Sequence, residues 1–141
     1  MRRLVLDMSV IVAGLRSRRG AALALLRLIG ERLITPLAAP ALFLEYEEVL
    51  KRPEQRLATG LSIEQIDFFL AALSDAIEPV ELHYRWRPQV QDPADEMVLE
   101  VAINGRADAL VTHNVRDFEG GASRFAIPLP RPAEVLKRMR T

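Results

Sequence analysis

The chain has 141 residues, half of them hydrophobic, and its 19 basic and 19 acidic residues give a formal net charge of zero. This length suits one domain with a substantial core, so we expect a single domain over residues 1–141 that folds without cross-links. The absence of cysteine excludes disulfides, thiolate nucleophiles and cysteine-ligated zinc. Because the charges balance, any nucleic-acid binding must depend on a local basic patch.

Hydrophobic runs are short throughout the chain. None reaches the roughly 18 residues that a membrane-spanning helix needs. The first apolar stretch ends at Asp7, which makes it too short for the core of a signal peptide. We therefore expect a cytoplasmic protein that does not contact the membrane.

Short β-like runs alternate with longer helical ones. The pattern predicts strands over residues 3–7, 34–38, 79–83, 108–112 and 125–129. It predicts helices over residues 9–15, 20–33, 40–52, 62–77, 92–104 and 132–140. Strands separated by helices indicate an α/β fold, in which a mostly parallel sheet of about five strands has helices on both faces.

Acidic residues recur at positions that such a fold brings together. Asp7 ends the first predicted strand, and Glu45 lies on the third predicted helix. Asp95 lies on the helix over 92–104, and Asp117 follows the fourth strand. In open parallel sheets, ligands bind beyond the carboxyl ends of the strands. Clustered carboxylates at that edge indicate a site for a divalent metal.

Asp7 has two interpretations. At the exit of a buried strand its carboxylate can belong to a ligand site, with Ser9 able to hydrogen-bond or to cap the first helix. The alternative is that Asp7 only caps that helix. A phosphatase with Asp7 as nucleophile is conceivable, but Ser9 stands where the common version of that motif has its second Asp.

Asp95 also has a structural alternative. Asp92 as N-cap, Pro93 at the first helical position and Asp95 at the third form a capping arrangement, which the local pattern favours. At 100 degrees per residue, Asp95 nevertheless falls in the middle of an apolar arc, and Glu96 and Glu100 lie outside it. A carboxylate on an apolar face needs a partner.

Glu45 and Glu47 occupy opposite edges of one helical face. Leu42, Tyr46 and Val49 form the apolar part of that face. Helical angles alone do not decide which glutamate contributes to the site.

Four segments occur in a characteristic order along the chain. They are LDMSVIVAGL at 6–15, EYEEVL at 45–50, DPADEMVLEVA at 92–102 and VTHNVRDF at 111–118. No single segment is specific, but their order and spacing resemble the PIN-domain ribonucleases, especially the toxins of bacterial toxin–antitoxin pairs. The resemblance extends over almost the whole chain. It implies a three-layer α/β/α sandwich that uses Mg²⁺ or Mn²⁺ to cleave single-stranded RNA, with a cognate antitoxin as partner.

The resemblance also implies roles for individual residues. By position, Asp7, Glu45 and Asp95 are the three acids of one metal site, and Asp92 is an accessory ligand. Thr112 matches the hydroxyl residue that the family has at the end of the fourth strand.

One departure from the family concerns the fourth acid. The family often has Asp two residues after that threonine, where this chain has Asn114. Asn114 can offer a carbonyl oxygen to a metal but brings no charge, so Asp117 is the candidate for the missing acid. The structural alternative makes Asp117 a turn or helix-capping residue before Phe118.

Metal-dependent hydrolysis suits these acids on chemical grounds. Mg²⁺ prefers oxygen ligands and binds through one or two carboxylates, several waters and substrate phosphate oxygens. A bound ion can lower the pKa of a water and offset charge at a scissile phosphate. The chain has no sequence motif for nucleotide hydrolysis, dinucleotide binding or zinc proteolysis.

Two basic segments are candidates for contact with RNA. Arg16, Arg18 and Arg19 follow the first predicted helix, although the sequence favours a solvated loop over contact with RNA for them. Residues 83–87 interleave basic and aromatic side chains, as a platform for single strands does. Trp86 also suits a core or a subunit interface. Either segment could instead contact an antitoxin.

The high apolar content for this length predicts a homodimer, with Trp86 or the helix from Ser62 to Ile77 at its interface. A rival to the nuclease interpretation is a PIN-like module that binds RNA or protein without cutting. The neutral Asn114 favours that rival.

Overall fold

A parallel β-sheet forms the centre of the computed structural model, which describes residues 1–83, 90 and 92–139. The strands are β1 (Arg3–Leu6), β2 (Thr35–Ala38), β3 (Glu78–Pro79) and β4 (Ala109–Val111). Their order in the sheet is β3-β2-β1-β4, and all pairs are parallel. In the register of β1 and β4, Leu6 lies opposite Val111. The carboxyl ends of these two strands therefore meet at one edge.

Helices flank this sheet, as expected for an α/β/α fold. They are α1 (Met8–Arg16), α2 (Ala21–Gly30), α3 (Pro40–Leu50), α4 (Pro53–Thr59), α5 (Ile63–Ala76), α6 (Pro93–Asn104), α7 (Val115–Arg124) and α8 (Pro132–Met139). Proline occupies the first turn of α3, α4 and α6, where its missing N–H has no intrahelical partner in any case. The capping box of Ser62 and Gln65 at the start of α5 is confirmed.

The hydrophobic core encloses the central strands. Leu4, Val5 and Leu6 of β1 are almost completely buried, as is typical of a parallel strand that is covered on both faces. Helix α6 contacts β1, β2 and β4, and it also contacts α3 and α7. The core holds α6, and thus Asp95, against the central strands.

The fifth predicted strand, over residues 125–129, is wrong as a sheet strand. That part of the chain does lie beside β4, because the N–H groups of Leu110 and Thr112 donate to the carbonyls of Pro128 and Pro130, at 3.0 and 3.2 Å. Proline has no N–H to return these bonds, so a regular ladder does not form. The sheet therefore has four strands where about five were expected.

Two helices were not predicted, and all four strands are shorter than predicted, β3 most of all. Pro53 was expected only to end α3, but it also begins α4. Helix α7 contains Gly120 and Gly121, which lower helix propensity and explain why no helix was predicted there. The helix nevertheless forms, and its Phe118 is buried in the core. Strand β3 has two residues, begins one residue before the run predicted from 79 to 83, and includes only Pro79 of that run.

Within the described part of the chain, no single helix is long and apolar enough to cross a membrane. Helices α4 and α5 reach the required length and composition only as a pair, and they are bent by 86° relative to each other. Ile66, Leu70 and Leu73 of α5 are buried within the protein.

Candidate active site

Two polar residues directly follow the paired strands β1 and β4. Asp7 comes after Leu6, and Thr112 comes after Val111. The N–H group of Asp7 donates to the carbonyl of Val111 at 3.0 Å, so the two chain segments are still bonded at this point. The sheet therefore fixes the distance between a carboxylate and a hydroxyl that are far apart in sequence.

The carboxylate of Asp7 is buried and accepts hydrogen bonds from two hydroxyl groups. Its Oδ2 accepts from Ser9 Oγ and from Thr112 Oγ1, each at 2.8 Å. Asp7 stands at the N-cap position of α1, but its side chain makes no capping hydrogen bond. The capping alternative for Asp7 is therefore wrong, and so is the prediction that Ser9 caps α1. Ser9 instead makes the predicted hydrogen bond.

Both hydroxyl groups also tie this carboxylate to the segment before α7. Thr112 is fully buried, and its Oγ1 accepts from the Asn114 N–H at 2.8 Å. Ser9 Oγ accepts from the His113 N–H at 3.2 Å. These bonds fix the orientation of Asp7 relative to Asn114.

Tyr46 lies next to the candidate site. The sequence pattern predicted only that it belongs to the apolar face of its helix. Its hydroxyl is buried and donates to the carbonyl of Leu6, the residue before Asp7. Burial, and then the charge of Asp7, raise the pKa of Tyr46 well above its usual range. The neutral phenol therefore anchors α3 to the end of β1.

An open cavity of about 400 Å³ adjoins Asp7, and we call it the acidic cavity. Its lining residues are Asp7, Met8, Ser9, Val12, Ala13, Arg16, Val49, Gln55, Asp95 and Asn114. The structure thus brings together predicted site residues from the end of β1, from α1 and α6, and from the start of α7. Gln55 lies on the unpredicted helix α4, so sequence reasoning did not identify it.

Asp95 has the most strongly altered acidity among the predicted site residues. Partial burial is the first cause, and the charges of Asp7, Asp92 and Asp117 add to it. Together they raise the pKa of Asp95 to about 6. The three other acids therefore lie within electrostatic range of this carboxylate.

The capping role of Asp92 is confirmed. Its Oδ1 accepts from the Ala94 N–H at 2.8 Å, and Pro93 occupies the first helical turn. Asp92 is exposed at the N-terminus of α6, and its charge still acts on Asp95. Capping and a contribution to the acidic site are therefore compatible.

Glu45 is the glutamate of α3 that interacts with these acids. Burial is the main cause that raises its pKa, followed by Glu48, and the charge of Asp92 also contributes. Glu47 is instead paired with Lys51 at 2.8 Å. Glu45 does not line the acidic cavity, and Asp92 is the member of the site with which it interacts.

Asn114 lines the acidic cavity and also a second cavity beside it. It occupies the N-cap position of α7, but its side chain makes no capping hydrogen bond. The second cavity has a volume of about 530 Å³ and is lined by His113, Asn114, Val115, Arg116, Asp117, Glu119 and Arg131. Asp117 is exposed in the first turn of α7 and lines this second cavity.

The basic candidates have different positions. Arg16 ends α1 and lines the acidic cavity, whereas the exposed Arg18 and Arg19 line neither cavity. The basic and aromatic residues 84–87, including Trp86, lie outside the described residues. His83 is exposed, and its Nε2 lies 3.2 Å from Glu81.

Two glutamates of α6 contradict the helical-arc prediction. Glu96 and Glu100 were placed outside the apolar arc, yet they are 3% and 1% exposed. Helix α6 contacts α3 and α7 as well as the sheet, so burial is not limited to one arc. Glu96 Oε2 accepts from the Val90 N–H at 2.8 Å, which provides a hydrogen bond for this buried carboxylate.

The donor atoms of the acidic cavity suit a hard cation. Among residues 1–83, 90 and 92–139, no three His, Asp or Glu side chains form a group that could hold a metal ion. However, Mg²⁺ commonly binds through one or two carboxylates, with waters and substrate phosphates as its other ligands. Asp7 and Asp95 supply two carboxylates to the acidic cavity. Asp7 Oδ1 accepts no hydrogen bond from the described residues, so it is available to a cation. That Glu45 shares an ion with Asp7 and Asp95 stays a prediction.

A parallel sheet with acidic groups near the carboxyl edge of its central strands defines an α/β fold with a candidate ligand site at that edge. A family model described as PIN domain matches residues 3–116, more than half of the chain, and the chain therefore belongs to the PIN-domain family. PIN domains are generally nucleases and usually use divalent metals. No curated protein matches the chain at a significant level.

Proposed function

We propose that this protein is a metal-dependent endoribonuclease that cleaves single-stranded RNA. The main observation is that Asp7 and Asp95 line one cavity although they lie on separate elements. Partial burial and then repulsion from neighbouring acids raise the pKa of Asp95, and a bound cation would relieve that repulsion. Membership of the PIN-domain family supports hydrolysis of a phosphodiester bond.

Each residue of the site has a definable task. Asp7 and Asp95 would hold Mg²⁺ or Mn²⁺, while Asn114 offers a neutral carbonyl oxygen at the same cavity. Ser9 and Thr112 orient Asp7 by donating to one of its oxygens, which leaves the other oxygen for a ligand. Arg16 provides a positive charge for a substrate phosphate.

A bound divalent cation supplies Lewis-acid chemistry and a water of lowered pKa. Asp92 and Asp117 increase the negative potential around Asp95 and thereby favour binding of a cation, and Glu45 lies within electrostatic range of Asp92. Helix α3, through the hydrogen bond of Tyr46 to Leu6, fixes the end of β1 from which Asp7 extends.

Substitution of Asp7 by asparagine tests the proposal. Asp7→Asn should abolish Mn²⁺-dependent cleavage of a labelled single-stranded RNA, while Asp75→Asn, on an exposed position of α5, should not. Thermal unfolding with and without Mn²⁺ gives a second readout, because a ligand of the folded state raises the unfolding temperature. Equal cleavage by both variants would refute the assignment of the site.

We further propose a biological role as the toxin of a toxin–antitoxin pair, bound by a cognate antitoxin and acting as a homodimer in the cytoplasm. The ordered segments that resemble such toxins support this role. Expression of the chain alone should arrest growth in a susceptible host, and Asp7→Asn or Asp95→Asn should relieve the arrest. Toxicity unchanged by either substitution would contradict catalysis as its cause.

A second candidate function is a PIN-like module that binds RNA or protein without cutting. The neutral Asn114 favours it, as does the lack of a three-carboxylate metal group among the described residues. RNA binding with no cleavage in the presence of Mg²⁺ or Mn²⁺ would support this alternative.

A further inference from the structure

We propose that the second cavity, which we call the arginine cavity, binds a phosphodiester group next to the scissile one. One RNA strand would then extend across both cavities. The residues that would bind it are Arg116 and Arg131, with His113 beside them. This inference rests on the proposed nuclease function, because it assigns the second part of the same substrate site.

The two arginines have no partner within the described part of the protein. Neither guanidinium group makes an ion pair or a hydrogen bond there, in contrast to Arg3 and Arg52, which pair with Glu78 and Glu48. An arginine that lines a concave surface without an intramolecular anion is available for a phosphate. The cavity volume of about 530 Å³ lies within the usual range of ligand pockets.

Two acids share the wall of this cavity, but they do not neutralise the arginines by direct pairing. Asp117 and Glu119 line the cavity, and neither forms an ion pair with Arg116 or Arg131. The charge of Asp117 acts on Asp95 in the neighbouring cavity. The guanidinium groups are therefore the groups of this wall that suit an anionic ligand.

Continuity with the acidic cavity makes a nucleic-acid strand the best-fitting occupant. Asn114 lines both cavities, Arg16 lines the acidic one and the arginine pair lines the other. Positively charged arginine side chains thus line both cavities, and in the acidic cavity Arg16 lies beside the carboxylates of Asp7 and Asp95. A strand that reaches both cavities would have phosphates near cations, which offsets repulsion from these carboxylates.

The backbone positions Arg131 independently of its side chain. Its N–H group donates to Glu134 Oε1 at 3.1 Å, just before α8 begins. Arg131 also lies beyond residues 3–116, which match the PIN-domain model. The arginine cavity therefore combines a residue of the matched region, Arg116, with one that is outside it.

Binding of labelled single-stranded RNA tests the inference. Fluorescence anisotropy with the full-length Asp7→Asn protein measures affinity without cleavage. On that background, Arg116→Gln or Arg131→Gln should each weaken binding roughly tenfold, as expected for a lost charge-assisted hydrogen bond. Each should also reduce the salt dependence of binding by about one phosphate contact. Arg131→Lys should restore part of the affinity, since it keeps the charge but not the bidentate geometry.

Arg27→Gln is the matched control, because Arg27 is exposed on α2 and lines neither cavity. A dinucleotide has a single phosphodiester group and cannot supply one to each cavity, so its binding at the acidic cavity should be insensitive to loss of the arginine pair. Equal weakening by Arg27→Gln and Arg131→Gln, or none by either, would overturn the inference. So would a dinucleotide affinity that falls as much as the affinity for a long strand.

The same measurements separate this inference from the nuclease function. Arginine-dependent binding, together with no cleavage by the unsubstituted protein, supports the arginine cavity and refutes the nuclease. Cleavage by the unsubstituted protein together with binding that is independent of both arginines refutes the arginine cavity and supports the nuclease.

Discussion

At the residue scale, the buried carboxylate of Asp7 depends on two hydroxyl groups. A buried charge is costly unless it accepts hydrogen bonds, and Ser9 and Thr112 both donate to it. Thr112 also accepts from the Asn114 N–H, so one side chain serves two parts of the site. Its loss should therefore affect orientation of Asp7 as well as stability.

Substitution of Thr112 tests this dependence. Thr112→Val keeps the shape but removes the hydroxyl, so it should destabilise the protein by about 2 kcal/mol and reduce cleavage. Thr112→Ser keeps the hydroxyl and loses one methyl group, at a cost of about 1 kcal/mol, and should keep most of the activity. Urea unfolding and cleavage rates measure both effects. Equal activity of the two variants would contradict a positioning role for the hydroxyl.

Asp95 should make stability depend on pH in the absence of metal. Its pKa is raised from 3.8 to about 6 in the folded protein, so the folded state binds more protons between these values. The free energy of unfolding should therefore fall as pH rises from about 4 to about 6. Because the group is only partly buried, solvent screening limits the loss to about 1 kcal/mol.

Asp95→Asn provides the matching measurement. In EDTA, this variant should be more stable than the unsubstituted protein at pH 7.5 but not at pH 4.5, as measured by urea unfolding. Asp75→Asn should show no such difference between the two pH values. The same stability difference for Asp95→Asn at both pH values would contradict a raised pKa of Asp95 in the folded protein.

At the element scale, sequence patterns predicted regular elements better than those that depend on tertiary contacts. The buried run of β1 and the capping box of α5 are local signals, and both predictions were correct. Helix α7 has a glycine pair and depends on burial of Phe118, which no local pattern reveals. The segment ending at Pro130 lies beside β4 as a strand would, but its residues Pro128 and Pro130 have no N–H group to donate to the sheet.

The start of α7 determines how the departure from the family should be tested. If Asp117 provides the charge that Asn114 lacks, Asp117→Asn should weaken Mn²⁺ binding and RNA cleavage. Asn114→Asp should preserve or strengthen metal binding, because Asn114 lines the same cavity as Asp7 and Asp95. Calorimetric titration of Mn²⁺ into each folded variant measures both effects.

The structural alternative for Asp117 predicts a different result. As a residue of the first turn of α7, Asp117 would stabilise the helix by roughly 0.3–1 kcal/mol through its interaction with the helix dipole. Its substitution would then lower the unfolding temperature slightly and leave metal affinity and cleavage unchanged. That outcome would leave a site of the other acids assisted by Asn114.

At the scale of the whole molecule, the parallel sheet explains why distant residues could be predicted to meet. Alternation of strands and helices placed Asp7 at the carboxyl edge of the sheet, and the family resemblance placed Thr112 at the end of the fourth predicted strand, which pairs with β1. The sequence pattern did not predict that Gln55 lines the acidic cavity, because helix α4 was not predicted. It also did not predict the hydrogen bond of the Tyr46 hydroxyl to Leu6, because that bond joins residues 40 positions apart. Side-chain geometry between elements is set by packing, which one sequence pattern does not specify.

Helix α5 has an exposed apolar face that suits assembly of two copies of the chain. We expect the protein to form a homodimer through the face of α5 that includes Phe68, which is 80% exposed and thus leaves a large apolar side chain in water. Phe68→Glu should convert the dimer to a monomer, as measured by light scattering at micromolar concentration. Leu57→Glu, at an 89% exposed position of α4, is the matched control and should leave the dimer intact. A monomeric unsubstituted protein would contradict dimerisation, and dissociation by Leu57→Glu alone would place the interface on α4 instead of α5.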